Sequence, residues 1–222
     1  MAGDAPSRRV LVVGGSPEPS APGLVRALAE TCNEVCAVDR GYDALRAAGV
    51  APTLFCGDCD SVSAQGGTAL RRLLEAGECD VERYNPDKDF TDLALALRAV
   101  SARWPGAAVV ATCVTGGRPD HYLAALGCLA RYDGEVRVEE DGASCRILHG
   151  GSSWDIEGAR GRTFSLVALS PTAVVTEQGM KWELDHARCE LLGDLGISNV
   201  VIGEAAHVAC HEGCIAAFLL AG

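Results

Sequence analysis

The stretch "AAVVATCVTGGRPDHYLAALGCLARY", residues 107–132, decides how this chain folds. Its opening run, Ala107 to Val114, is apolar at almost every position. A strand with one wet face alternates apolar and polar residues, whereas a strand covered on both faces does not. Gly116 and Gly117 end the run, and "HYLAALGCLARY" then reads as a helix. A doubly covered strand that passes through a polar glycine turn into a helix is the repeating piece of an open, mostly parallel α/β sheet.

Upstream the same piece recurs. "RRVLVVGG" and "GLVRALAETC", "EVCAVD" and "DALRAAG", then "PTLFCGD" and "GTALRRLLEAG" alternate strand with helix. "CDVERYN" is a further strand. "TDLALALRAVSARW" is a helix with Leu93, Leu97, Val100 and Trp104 on one face and Asp89 or Thr91 as its cap. The pattern changes near Tyr132. From "GEVRVEEDGASCRILHG" onward, "RTFSLVALS", "AVVTEQG", "CELLG", "ISNVVIG", "HVACHEG" and "CIAAFLLAG" read as short strands, and no long helical pattern remains. Residues 1–132 are expected to form an α/β domain and residues 133–222 an antiparallel β-sandwich of jelly-roll type.

Composition narrows the function. The 222 residues carry a net charge of −11, which argues against nucleic acid or an acidic membrane as partner. No run is long enough to span a membrane and no secretory signal is recognisable, so a cytoplasmic protein with reduced, mostly buried thiols is expected despite eleven cysteines. Of 19 basic residues only Lys88 and Lys181 are lysine. Either chance put them there or those positions use a compact ammonium rather than a planar guanidinium.

The polar, glycine-bearing motifs of the first domain all follow strands: "GGSP" (14–17), "DRGYD" (39–43), "GDCDS" (57–61), "NPDKDFTD" (85–92) and "TGGRPDH" (115–121). In a parallel sheet such loops share the carboxyl edge, where ligands bind. Asp58, Asp60, Asp89 and Asp92 converge there, with Asp39 beside them. Clustered carboxylates repel unless a cation sits among them, and hard oxygen ligands in loops suit Mg²⁺ bridged to phosphates. The glycines let backbone N–H groups approach phosphate oxygens, and Lys88 and Arg118 offer positive charge. Plainer readings stand beside these. Asp89 and Asp92 serve as helix caps, Asp58 and Asp60 as a turn, Arg118 as an ion pair with Asp120, and His121 as a cap of its helix.

Two thiol motifs compete for attention. Cys56 and Cys59 form a C-x-x-C, but no second pair completes a zinc set and acids flank it. His207, Cys210, His211 and Cys214 in "HVACHEGC" are possible zinc ligands; a β-hairpin with a His-Glu-Gly turn is the preferred reading.

In order and spacing, "GDCDS", "NPDKDFTDLALAL", "TGGRPDH", "GMKWEL" and "ISN" resemble the thiamine pyrophosphokinase family from Gly14 to the C-terminus. The resemblance implies a nucleotide-binding α/β domain followed by a β-sandwich. It implies a homodimer with shared active sites and transfer of a pyrophosphoryl group from ATP to thiamine, with Mg²⁺ and release of AMP. It makes Asp58, Asp60 and Asp92 the metal-binding acids, and it gives Lys88, Asp89 and Thr91 the polyphosphate and metal. Asp39, Ser61, Arg118, Asp120 and His121 fall to the nucleotide, and Trp182, Ser198 and Asn199 to thiamine. Either Asp89 or Asp92 accepts the hydroxyl proton. Two alternatives share the same acids or ligands: a metal-dependent phosphohydrolase and a non-catalytic thiamine- or nucleotide-binding regulator.

Overall fold

The computed structural model describes residues 8–58, 61–84 and 89–221, which form two compact units that divide at Asp141/Gly142. The first alternates β1 (Arg9–Val13), α1 (Pro22–Glu30), β2 (Glu34–Val38), α2 (Gly41–Ala48), β3 (Leu54–Gly57), α3 (Ala64–Glu75), β4 (Asp80–Arg83), α4 (Asp92–Arg103), β5 (Ala108–Thr112), α5 (Pro119–Leu129) and β6 (Val136–Glu140). Its strands lie in the order β6-β5-β1-β2-β3-β4, and each neighbouring pair is parallel. The chain thus builds outward from β1 to β4, then returns to the other side of β1 for β5 and β6.

Coverage of both faces explains the unbroken apolar strands. Leu11, Val13, Val35, Ala37, Phe55 and Val110 share one core with Val25, Leu45 and Leu70 of the helices α1 to α3. Strand side chains alternate between faces, so Val10, Val12, Cys36, Leu54 and Val109, all buried, point the other way. There α4 packs on β2 and β3 and against α5. Local signals set the helix starts. The Thr91 hydroxyl accepts from the Ala94 N–H at 3.3 Å, and Ser63 caps α3 by accepting from the Gly66 N–H at 3.0 Å. Each such cap is worth about 1 kcal/mol.

The pattern change after Tyr132 marks the end of α5, not the division between units. β6 pairs parallel with β5, because "EVRVEE" continues the sheet of the first unit. The second unit contains β7 (Ala143–His149), β8 (Ser152–Glu157), β9 (Thr163–Ala168), β10 (Thr172–Gln178), β11 (Leu184–Glu190), β12 (Asn199–Val200), β13 (Ala205–Glu212) and β14 (Cys214–Leu220). Within it, β12-β9-β14-β7 and β11-β10-β13-β8 run as antiparallel layers that share one core, including Phe164, Leu166, Val175, Val208 and Ile215. "CELLG" supplies only the end of β11, since Leu191 and Leu192 turn away with Leu192 at φ 53°. Among the described residues no helix is long and apolar enough to cross a membrane.

One core position breaks the usual economy of burial. Glu177 on β10 is fully buried, and Asn199 Nδ2 donates to its Oε2 at 2.6 Å. Among the described residues its Oε1 has no hydrogen-bond partner. Burial pushes the Glu177 carboxyl up from 4.5 to about 7, opposed in part by the bond from Asn199. The folded protein therefore holds this proton where the unfolded chain has lost it. The stabilisation is complete below pH 4.5 and is lost as pH rises to about 7. The rise corresponds to about 3 kcal/mol. Replacing Glu177 by Gln should remove this slope, so that chemical denaturation shows the variant gaining on the wild type between pH 4.5 and 7. A stability difference that stays constant across that range would contradict the assignment.

Candidate active site

A cavity of about 520 Å³ opens at the carboxyl edge of the first unit. It is lined by Gly14–Pro17 after β1, Asp39 and Arg40 after β2, Ser61 after β3, Thr91–Leu93 at the start of α4, and Cys113–Gly116 after β5. Val38, Arg118, His121 and Ala125 complete the wall. It sits where β1 and β5, neighbours in the sheet, send their chains to opposite faces, the usual ligand crevice of an open parallel sheet.

The loops are tied across this crevice. Gly14 N–H donates to the Thr112 carbonyl at 2.9 Å, Ser16 N–H to the Cys113 carbonyl at 3.0 Å, and the Ser16 hydroxyl to the Thr115 carbonyl at 2.5 Å. Gly14 must be glycine, because a Cβ there would lie 2.5 Å from the Cys113 carbonyl oxygen. On the next strand Asp39 is buried in the left-handed region, at φ 45°, with its N–H on the Cys56 carbonyl at 3.0 Å. Its carboxylate lies against the backbone of Gly57, where a Cβ would come within 1.8 Å of Oδ1. The glycine of "GDCDS" thus makes room for the acid of "DRGYD". Tyr42 of that motif turns inward and meets Phe55 edge-on at 6.5 Å.

Of the residues singled out in the sequence, the cavity collects Asp39, Ser61, Thr91, Asp92, Arg118 and His121. Thr91 also caps α4 and Asp92 stands in its first turn. Arg118 grips Asp120 through two bonds, Nε–Oδ1 at 3.1 Å and Nη2–Oδ2 at 2.5 Å. That guanidinium holds the Asp120 carboxyl down at about 2. Asp58, Asp89 and Asp120 are not on the cavity wall, while Asp60 and Lys88 lie outside the described residues. Among the described residues no three His, Cys, Asp or Glu side chains are close enough to hold a metal ion.

Glu140, at the end of β6, went unnoticed in the sequence. Its carboxylate accepts from the backbone N–H groups of Cys113 and Val114 at 3.0 Å and of Thr115 at 3.2 Å, and from the Ser20 hydroxyl. It read as one polar position of an alternating strand, and only the fold brings it under the loop.

In the second unit, Trp182 is 56% exposed, with the Lys181 ammonium 4.4 Å above one face of its ring. Asn199 is buried and fully engaged. Oδ1 accepts from the N–H groups of Trp182 at 3.1 Å and Val200 at 2.9 Å, and Nδ2 donates to the Trp182 carbonyl at 2.7 Å and to Glu177. It therefore fixes the backbone of Trp182 and has no hydrogen-bonding capacity left for a ligand. Ser198 sits at φ 59°, its N–H on the Ser165 hydroxyl at 2.9 Å.

The thiol motifs go elsewhere. Cys56 faces Cys36, with sulfurs 3.8 Å apart in the buried sheet, and Cys59 is outside the described residues. The His207 ring bonds Asp155, Cys210 donates to the Glu212 carbonyl, and the His211 ring bonds the Thr176 hydroxyl. Cys214 begins β14 directly after the turn at Gly213. Cys210 and Cys214 lie near each other, and burial, with the Cys214 charge added to it, pushes the Cys210 thiol up, while His207 and His211 bond elsewhere.

Comparisons with known proteins agree with this division. The profile of the thiamin pyrophosphokinase catalytic domain matches residues 25–139, and that of the thiamin pyrophosphokinase vitamin B1 binding domain matches residues 154–215. The chain is 29% identical to the thiamine pyrophosphokinase of Bacillus subtilis over 202 residues, 88% of this chain and 90% of that one. The crystal structure of thiamine pyrophosphokinase from Bacillus subtilis superposes with a TM-score of 0.78 at 24% identity, covering 96% of this chain and 99% of that one. That of a thiamin pyrophosphokinase family protein from Enterococcus faecalis gives 0.75 at 26% identity, covering 97% and 100%. With two domain profiles matched in order along the two units, the chain belongs to the thiamine pyrophosphokinase family.

Proposed function

We propose that the cavity of the first unit binds ATP with Mg²⁺, and that the second unit presents thiamine, whose hydroxyl takes the pyrophosphoryl group as AMP leaves. The observation that carries this reading is the gathering of Asp39, Asp92, Arg118 and His121, with two glycine-bearing loops, around one crevice. Backbone N–H groups and a guanidinium suit a polyphosphate, and the acids suit its metal. Mg²⁺ commonly takes only one or two protein carboxylates and fills its shell with water and phosphate oxygens. The absence of a closed three-ligand set among the described residues is thus compatible with it. Asp92 on the cavity wall and Asp58 and Asp60 following β3 in sequence are the acids from which we assign its one or two carboxylate ligands. Bound there, the ion neutralises charge on the phosphate oxygens.

The chain's own groups do the rest. Arg118, Lys88, Thr91, Ser61 and His121 hold the nucleotide, with Asp120 keeping Arg118 aimed and Asp39 shaping the loop. Asp89 or Asp92 takes the proton of the attacking hydroxyl, and the main contribution of the site is alignment for in-line attack on the β-phosphorus. Trp182 offers a ring face to the cationic thiazolium, a contact worth about 1–2 kcal/mol when dry. Ser198 is assigned to thiamine as well, and Asn199 acts by holding the Trp182 backbone.

We further read the second unit as a jelly-roll sandwich and the enzyme as a cytoplasmic homodimer whose sites are shared between copies. Leu191, Leu192, Leu195, Ile197 and Ile202 are exposed within a dozen residues, an apolar stretch that a second copy would cover.

Incubation with thiamine, ATP and Mg²⁺ should yield AMP and thiamine diphosphate in equal amounts. Phosphate or ADP released without thiamine would instead identify a hydrolase. Asp92→Asn should lower kcat by roughly 100-fold or more with the protein still folded, and near-normal turnover at saturating Mg²⁺ would remove Asp92 from the acid set. Trp182→Ala should raise the KM for thiamine by about 10-fold and leave the KM for ATP alone; equal effects on both substrates would argue against ring contact. For the shared site, co-expressing an Asp60→Asn chain with a Trp182→Ala, Asn199→Ala chain should recover up to about half of wild-type activity per heterodimer. Heterodimers without activity would mean that each site is built within one chain.

A further inference from the structure

We propose that Glu140 is a positioning residue for the nucleotide, holding the loop between β5 and α5 in the shape that the phosphate chain meets; this rests on the reading of the cavity as the ATP site. Cys113, Val114 and Thr115 turn three successive backbone N–H groups toward one point, with Cys113 at φ 56°, a region that L side chains rarely adopt. Successive N–H groups converging in this way make an anion-binding concavity. Here the occupant is the protein's own carboxylate, bound at 3.0 to 3.2 Å. Glu140 is not on the cavity wall, while Cys113, Val114, Thr115 and Gly116 of the loop it holds line the cavity.

The next residue extends the device. Asp141 Oδ2 accepts from the Ala21 N–H at 2.8 Å, where α1 begins, and Glu140 itself takes the Ser20 hydroxyl. Two adjacent acids at the end of β6 thus anchor both loops that border the crevice, the one after β1 and the one after β5. Without Glu140, three N–H groups would need other partners. Water, or an anion drawn from the cavity side, would take the place of a fixed charge, and the loop would lose its single shape.

The test separates the two ligands. Glu140→Gln keeps the shape of the side chain but replaces one acceptor oxygen by a donor that faces backbone donors; Glu140→Ala empties the concavity. Titration calorimetry with a non-hydrolysable ATP analogue plus Mg²⁺, and separately with thiamine, should show nucleotide affinity falling by at least about tenfold, more in the Ala than in the Gln variant. Thiamine affinity should stay within about twofold, and steady-state kinetics should show the same split between the KM values for ATP and thiamine. Nucleotide affinity within twofold of wild type in a folded variant would overturn the proposal. So would parallel loss of both ligands, or failure of both variants to fold, since each marks a residue of stability alone. If the wild type binds no nucleotide, the reading of the cavity fails instead.

Discussion

The first unit depends on one topological constraint: β1 and β5 lie side by side and parallel, yet their chains leave toward opposite faces. The two loops meet at their bases and their chains then diverge, so the sheet edge has room for a crevice there. Every feature of the crevice answers that opening. The bonds from Gly14 and Ser16 tie the β1 loop to the β5 loop, and Glu140 holds the backbone of the β5 loop. The helices supply apolar cover for the sheet, and the first turns of α4 and α5 add Asp92 and His121 to the cavity wall. The glycines of the loops after β1 and β5 leave their backbone on the cavity wall.

The second unit uses a different economy. One buried amide, Asn199, fixes the Trp182 segment with two hydrogen bonds and ties it to Val200 and Glu177 with two more. A saturated buried amide is a stiff joint, because turning it would leave both its own groups and the Trp182 backbone unmatched in a dry interior. The cost appears at Glu177, a buried acid with no cation against it among the described residues, which remains partly protonated near neutrality.

How much of this was legible in the sequence follows from the range of the interactions. Strand, glycine turn and helix are local signals, and their repetition placed five polar loops on one edge; the cap at Thr91 and the hairpin at "HEGC" are local too. β8 and the start of β11 were missed, because "SSWDIE" and "LDHARCE" offer too few apolar residues to display a period. Glu140 was invisible for another reason. Its partners are backbone groups 25 to 27 residues away, and a glutamate at a strand end reads as facing water. Glu177 shares the inward face with Ala173 and Val175 by alternation, and its charge is what hid it. The saturation of Asn199 could not be read from "ISN", which names the residue but not its partners.

The contact of Asp39 with Gly57 has a consequence for how this loop pair can change over generations. With a Cβ at position 57 brought to 1.8 Å of the Asp39 oxygen, the two positions do not vary independently. Any side chain at 57 collides while Asp39 keeps its conformation, so the effects of the two substitutions cannot simply add. A lineage could fill position 57 only after position 39 had shortened or moved, and once it had done so the way back to aspartate would be shut. The pair therefore acts as a ratchet: the order of the mutational steps, as well as their number, decides which descendants of this loop remain reachable.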